Sequence, residues 1–284
     1  MDHVVAIDIG GTKVAAGIVT SDGALLRQAT RPTPAGDGEG ILDAVLEAVE
    51  EVRGGTEVAC GVGSGGPMSP GGEEVSPINI PGWRRFRLRA RLAEALGLPV
   101  WVDNDAKALA LGEGWRGAAK GESDYLAMVV STGVGGGIVL DGRLLDGAGG
   151  NAGHVGHVIV VPDGRTCGCG ARGCLEAEAS GTAIAARTGQ PAASAPLEER
   201  QRAGLLVGRA VASVANLLDL RLAVVAGSVA LGFGTDLFDA AQAEVDRSSR
   251  IEFARGARIV PAGLGADGPL IGAAAVAWRA LTGA

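Results

Sequence analysis

Two stretches of this 284-residue chain are built on one plan, and no other feature narrows the possible folds as far. Near the amino terminus an apolar run at residues 4–9 passes through Gly10-Gly11 into a second run at 14–19. Beyond the middle, a run at 125–130 passes through Thr132 and Gly133 into another at 136–140. Apolar runs joined by short glycine-bearing gaps predict antiparallel hairpins. A third strand at 24–30 follows the Ser21-Asp22-Gly23 turn. Ile41, Leu42, Val45, Leu46 and Val49 then recur at helical spacing, predicting a helix over 38–52. Strands at 58–62 and 100–102 alternate with helices at 88–96 and 105–116. In the second half, helices at 205–218 and 231–245 flank a strand at 222–226, and a strand at 258–261 precedes a carboxy-terminal helix at 270–281. Two similar α/β lobes around a cleft satisfy this order. The small polar stretch 117–123 marks the boundary. Residues 1–117 plus the helix at about 270–284 are expected to form a smaller lobe, and 118–269 a larger one.

Composition excludes several classes. A net charge of -7 and a pI near 5.1 provide no basic face for nucleic acid. The most apolar stretch, 210–227, is interrupted by Asp219 and Arg221, so no membrane span is expected. The 48 glycines show no three-residue period, which excludes collagen and points to many tight turns. The opening Met-Asp-His-Val has neither the basic segment nor the apolar core of a signal peptide, so the expected location is cytoplasmic.

Three of the four cysteines, Cys167, Cys169 and Cys174, lie close behind His157, with Gly168, Gly170 and Gly173 between them. Three thiolates and one imidazole make a closed tetrahedral ligand set for zinc (Zn2+), with no open position for catalysis. The alternatives are buried free thiols, or a disulfide with a spare cysteine. A reducing cytoplasm favours the metal. Cys60, within the apolar VACGVG, reads as a small core residue.

The segment DIGGTK places Asp8 at a strand end, followed by Gly10, Gly11, Thr12 and Lys13. Backbone N–H groups in such a turn can approach phosphate oxygens without Cβ obstruction, and Asp8 can hold Mg2+ through water. The same residues also fit an ordinary hairpin turn. A second glycine turn, STGVGGGIVLDG over 131–142, supplies a second loop able to grip one polyphosphate. No G-x-x-x-x-G-K-[ST] is present, which excludes a P-loop. A G-x-G-x-x-G does occur at Gly61, Gly63 and Gly66. Pro67, Pro70 and Gly71-Gly72 follow where a helix should begin, which defeats a dinucleotide-binding reading. VDNDA, over 102–106, sits where a strand meets a helix. Asn104 can donate to and accept from a hydroxyl, and Asp105 can take a proton from one. One of Asp103, Asn104 and Asp105 is expected to cap the helix, and three such residues are more than a cap needs.

DIGGTK, then S-x-x-N-x-P-G-W over 76–83, NDA, T-G-V-G-G-G, and G-H followed by C-x-C-G-x-x-G-C-x-E occur in this order. Over nearly its whole length the chain resembles the ROK family of sugar kinases and repressors, a branch of the actin/hexokinase/Hsp70-like ATPases. That resemblance implies a two-lobed actin-like (ribonuclease H-like) α/β fold, with the active site in the interdomain cleft and a zinc-binding loop over 157–176. It implies that Asp8, Gly10, Gly11, Thr12, Lys13, Thr132 and Gly133 bind ATP phosphates, and that Gly227 and Ser228 lie by the adenosine. Asn79, Asn104, His157 and Glu176 match sugar-contacting positions, with the Gly66 backbone nearby. Asp105 matches the catalytic base, and His157, Cys167, Cys169 and Cys174 match the zinc ligands. The implied reaction is phosphoryl transfer from MgATP to a sugar hydroxyl, most often the 6-OH, of glucokinase, N-acetylmannosamine kinase or N-acetylglucosamine kinase type. The zinc would fix the loop carrying His157 and Glu176.

One position departs from the family pattern. E-x-G-H is usual before the cysteines, and here His154 replaces the glutamate, which leads us to expect an altered sugar preference. Of the other classes, a repressor needs an amino-terminal DNA-binding extension, and with DIGGTK at residue 8 none is expected. A silent sugar-binding regulator would need neither Asp105 nor two phosphate turns. The expected partner is a small-molecule sugar, with no nucleic acid and no membrane, in a homodimer or homotetramer.

Overall fold

The amino-terminal hairpin forms as its glycine turn predicts. In a computed structural model that describes residues 2–36, 38–78 and 80–283, β1 (His3–Ile9) and β2 (Lys13–Thr20) pair antiparallel. Strand β3 (Leu25–Pro32) continues the meander, starting one residue later and ending two residues later than its pattern suggested. Helix α1 (Gly38–Val52) buries Ile41, Leu42, Val45 and Val49, the stripe whose 3.6-residue period announced it. Strands β4 (Glu57–Ser64) and β5 (Val100–Asn104) then add in parallel, separated by α2 (Leu88–Leu96), giving the order β3-β2-β1-β4-β5. Helix α3 (Asp105–Arg116) follows β5 without a gap. Trp83 in the N-x-P-G-W segment is a core plug. It is fully buried, stacked on Phe86 at 4.6 Å, and its indole N–H donates to the Gly38 carbonyl at 2.8 Å.

The second sheet repeats the first. Strands β6 (Tyr125–Val130) and β7 (Val134–Leu140) form a hairpin, and the short β8 (Arg143–Leu144) lies at the edge. After α4 (Leu175–Ala179), α5 (Gly181–Thr188) and α6 (Leu197–Leu218), β9 (Leu222–Ala226) pairs parallel with β6. Helices α7 (Ser228–Phe233) and α8 (Thr235–Ser248) lead to β10 (Arg258–Pro261) beside β9. The order is β8-β7-β6-β9-β10, so counted within its own half each sheet reads third, second, first, fourth, fifth. The carboxy-terminal helix α9 (Gly268–Thr282) packs Leu270, Ala273, Ala274 and Ala277 with Val4, Ala6, Val19 and Ala59. Two units result. One comprises Met1–Lys120, Arg143–Ala152 and Leu264–Ala284, and the other Gly121–Gly142 and Gly153–Gly263.

Three helical details differ from the sequence pattern. The helix expected over 231–245 is two helices, because Gly234 takes a backbone conformation (φ 54°, ψ −133°) that ends one and starts the next. Helix α6 begins at Leu197 rather than 205, its charged first turns concealing a buried Glu199. Helices α4 and α5 are too short for periodicity to reveal. Helix α5 is set instead by its caps, Ser180 accepting from the Ala183 N–H and Gly189 closing the other end in the left-handed region. Among the described residues no helix is long and apolar enough to cross a membrane.

Candidate active site

In the first unit, the Gly10 N–H donates to the Lys13 carbonyl at 3.0 Å and closes the DIGGTK turn, leaving Gly11, Thr12 and Lys13 exposed. The Thr33 hydroxyl donates to the Gly10 carbonyl at 2.7 Å, and its N–H to the Thr12 carbonyl at 3.0 Å, pinning the turn from the next strand. Parallel register places Asp8 beside Gly63 on β4, and Gly63 beside Asp103 on β5. A Cβ at Gly63 would lie 3.6 Å from the Asp105 Cα and 3.7 Å from Asp8 Oδ1, so two acidic residues flank one glycine. Burial, and then the Asp105 carboxylate, push Asp8 up to about 7, with Lys13 opposing them. The G-x-G-x-x-G pattern has separate local reasons. Gly61 makes room for the Ala273 carbonyl of α9, Gly63 lies between Asp8 and Asp105, and a Cβ at Gly66 would lie 3.4 Å from the Asn104 amide nitrogen.

A stability prediction follows for the Mg2+-free protein. Because Asp8 is raised from 3.8 to about 7, the folded state holds a proton across that window which the unfolded chain has released. Stability contributed by this group therefore falls as pH rises through the window. Asp8→Asn is expected to stabilise the apoprotein by roughly 2–4 kcal/mol at pH near 8, with the gain shrinking towards pH near 4. Thermal melts at both pH values check this, and an equal gain at each would contradict it.

Asp103, Asn104 and Asp105 divide their labour. Asn104 caps α3, its side-chain oxygen accepting from the Ala106 N–H at 3.0 Å. Asp103 accepts the Asn104 N–H at 2.8 Å and pairs at 2.9 Å with Lys107. Lys107 is almost fully buried and also reaches Asp146 at 2.7 Å and the Gly150 carbonyl at 3.2 Å. Sequence reasoning missed this lysine, whose one local signal is the i,i+4 spacing from Asp103. Of the three, Asp105 is the one whose charge bears on Asp8. Asn79 lies outside the described residues.

In the second unit, the turn between β6 and β7 is held from several sides. The Ser131 carbonyl accepts from the Gly181 N–H at 2.7 Å, and the Thr132 carbonyl from the Thr182 hydroxyl at 2.9 Å. The Val134 N–H donates to Glu176 Oε2 at 3.0 Å. Gly227 has a positive φ of 101° and no space for a side chain against the Val130 carbonyl, and Ser228 meets Ser131 hydroxyl to hydroxyl at 3.0 Å. Thr132, Gly133, Gly227, Ser228 and Glu176 are therefore neighbours. His154 and His157 lie across one short turn, closed by the His157 N–H on the His154 carbonyl, with near-parallel rings 6.0 Å apart.

The candidate metal ligands gather at the same turn. The ligand atoms of His157, Cys167, Cys169 and Cys174 all lie within 4.8 Å of one another. His157 Nδ1 is 3.7 Å from Cys167 Sγ, and Cys169 Sγ is 3.7 Å from Cys174 Sγ. Zn–S bonds of about 2.3 Å in a tetrahedron require ligand separations of about 3.8 Å, so the donor set fits zinc. Burial and the adjacent Cys169 and Cys167 sulfurs push the Cys174 thiol up to about 12, so a cation is needed to hold it as thiolate. A small hairpin supports the ligands, the Cys167 N–H donating to the Ala171 carbonyl at 2.8 Å and the Gly173 N–H to the Arg165 carbonyl at 2.9 Å. The buried Glu178 anchors its start, accepting the Arg165 N–H at 2.7 Å while pairing with Arg187 at 3.1 Å and Arg202 at 2.7 Å.

Two five-stranded sheets of matching order, each opening on a hairpin around a glycine turn, define the actin-like ATPase fold. The chain belongs to the ROK family, which it matches over residues 4–280. It is 42% identical to a Thermotoga maritima glucokinase over 185 residues, covering 64% of this chain and 58% of that protein. The match thus spans less than two thirds of that relative. It is 39% identical to an N-acetylmannosamine kinase of Citrobacter koseri over 245 residues, 81% and 84% of the two chains. The solved structure of a ROK family glucokinase from Streptomyces griseus, in complex with glucose and AMPPNP, superposes with a TM-score of 0.85 at 32% identity, covering 98% of this chain and 99% of that one.

Proposed function

We propose that this protein is an ATP-dependent sugar kinase of the glucokinase or N-acetylmannosamine kinase type, phosphorylating the 6-hydroxyl of a hexose or N-acetylhexosamine. The observation that carries this reading is the pairing of Asp8 and Asp105 on either side of Gly63. Two acidic residues placed so close are unfavourable unless a proton or a cation is shared near them. Asp105 would orient the acceptor hydroxyl and take its proton, while Asp8 would hold Mg2+ through water. Bound Mg2+ would neutralise charge on the donor phosphates. The Gly10–Lys13 and Thr132-Gly133 turns would present N–H groups and hydroxyls to those phosphates, with Gly227 and Ser228 by the adenosine. The nucleotide analogue in the Streptomyces griseus structure supports ATP as donor.

On the acceptor side, His157 directs Nδ1 at the cysteine sulfurs, so Nε2 is the ring nitrogen available to a sugar. Glu176, Asn104, Asn79, His154 and the Gly66 backbone complete the proposed contacts. Zinc, when bound, would fix the loop that carries His157 and Glu176. ADP release measured over glucose, N-acetylmannosamine, N-acetylglucosamine, mannose, fructose and allose tests the proposal. Sugar-dependent ADP release with at least one of them is expected. Tight sugar binding with no turnover on any would point instead to a silent sugar-binding protein.

His154 offers an imidazole where a carboxylate would accept two hydroxyl hydrogen bonds. His154→Glu is expected to shift the kcat/KM ratio of glucose to N-acetylmannosamine towards glucose by about 10-fold or more. An unchanged profile across the six sugars would remove His154 from the specificity determinants.

A further inference from the structure

Glu176 has a partner that a sugar contact does not explain. Its Oε2 accepts the N–H of Val134, 42 residues away in sequence, inside the glycine turn proposed to face the phosphoryl donor. A Cβ at Gly133 would come within 2.8 Å of the same oxygen, so the carboxylate lies against the turn. The two carbonyls before it, of Ser131 and Thr132, are taken by Gly181 and Thr182 at the start of α5. Three of the four residues from Ser131 to Val134 are thus tied to the stretch 176–182, which begins two residues after Cys174.

Resting on the sugar-kinase reading, we infer that Glu176 is a positioning residue for the phosphate turn as well as a sugar ligand, with Thr182 as its second anchor. One carboxylate then serves acceptor and donor sites together. An ionised acceptor on a backbone N–H makes a stronger hydrogen bond than a neutral one. A turn whose amides must point at phosphate oxygens loses affinity once it is free to reorient, because the ordering must then be supplied on binding. Charge acts in the opposite direction, since a carboxylate this close to the turn repels a polyphosphate. The two effects separate by substitution. Glu176→Gln removes the charge and keeps an acceptor for Val134, whereas Glu176→Ala removes both. Thr182→Val removes the hydroxyl half of an anchor that has no part in the proposed sugar contacts, leaving the longer bond from the Thr182 N–H to the same Thr132 carbonyl at 3.3 Å.

The test uses the metal-replete protein, with metal content confirmed for each variant, and reads two quantities without sugar. These are amide exchange of the segment 131–134 and the dissociation constant of MgAMPPNP. In Glu176→Ala and in Thr182→Val, exchange is expected to rise about 10-fold and the dissociation constant about 5- to 10-fold. In Glu176→Gln, exchange stays near wild type and nucleotide binding is equal or tighter. Wild-type exchange and wild-type nucleotide affinity in both Glu176→Ala and Thr182→Val would overturn the inference, leaving Glu176 a sugar contact only. If the wild-type protein bound no MgAMPPNP, the kinase reading itself would fall, and the exchange data alone would decide whether Glu176 holds the turn.

Discussion

Asp105→Asn is expected to lower kcat by about 100- to 10,000-fold, the usual contribution of a positioned general base. Sugar and MgAMPPNP dissociation constants should stay within about threefold, since the substitution removes a proton acceptor and keeps a hydrogen-bonding group of the same shape. The fold should tolerate it. Asn104 supplies the α3 cap, and an asparagine at 105 can still accept the Ala106 N–H that Asp105 Oδ1 accepts at 2.8 Å. Loss of the Asp105 charge also removes the second-largest influence raising Asp8, leaving burial as its main cause. Steady-state kinetics with calorimetric binding check the outcome. A kcat within tenfold of wild type would assign the base to another residue.

The largest loss of stability is expected from Glu178→Ala. This side chain is 2% exposed and receives the Arg165 N–H, Arg187 and Arg202. Burial opposes its ionised form, yet the Arg165 N–H and the two guanidinium groups hold it below the usual carboxylate range. Removing one partner of a buried ionic network typically costs about 3–5 kcal/mol, because the remaining charges are left desolvated. Arg187 and Arg202 are about 30% exposed, so water can reach them and the low end, about 3 kcal/mol, applies here. Arg165 opens the hairpin that carries Cys167 and Cys169, so metal retention should weaken as well. Denaturant melts and metal analysis after dialysis read both quantities. A stable variant that keeps its metal would show the network to be dispensable.

The features legible in the sequence are those written in short-range pattern. Both hairpins are flagged by glycine turns between apolar runs, and α1 by its apolar stripe. The cluster is legible because Cys167, Cys169 and Cys174 are close in the chain, so spacing alone reports their proximity. The unread features depend on partners distant in sequence. Lys107 and Glu178 have the composition of surface residues and are buried only because Asp146, Arg187 and Arg202 come to them. The bond from Glu176 to Val134 joins residues on separate elements, and no local periodicity encodes it. The Gly234 break escapes the sequence pattern because the residues on either side continue the helical period while a single backbone conformation interrupts it.

The central claim is phosphoryl transfer to a sugar hydroxyl with Asp105 as base. Its most direct test is mass spectrometry of the sugar after incubation of the metal-replete protein with MgATP and each of the six candidates. At least one sugar is expected to gain a single phosphoryl group with wild-type protein, and the product to be lost with Asp105→Asn. Sugar that is bound by the wild-type protein yet returned unmodified in every case would contradict it.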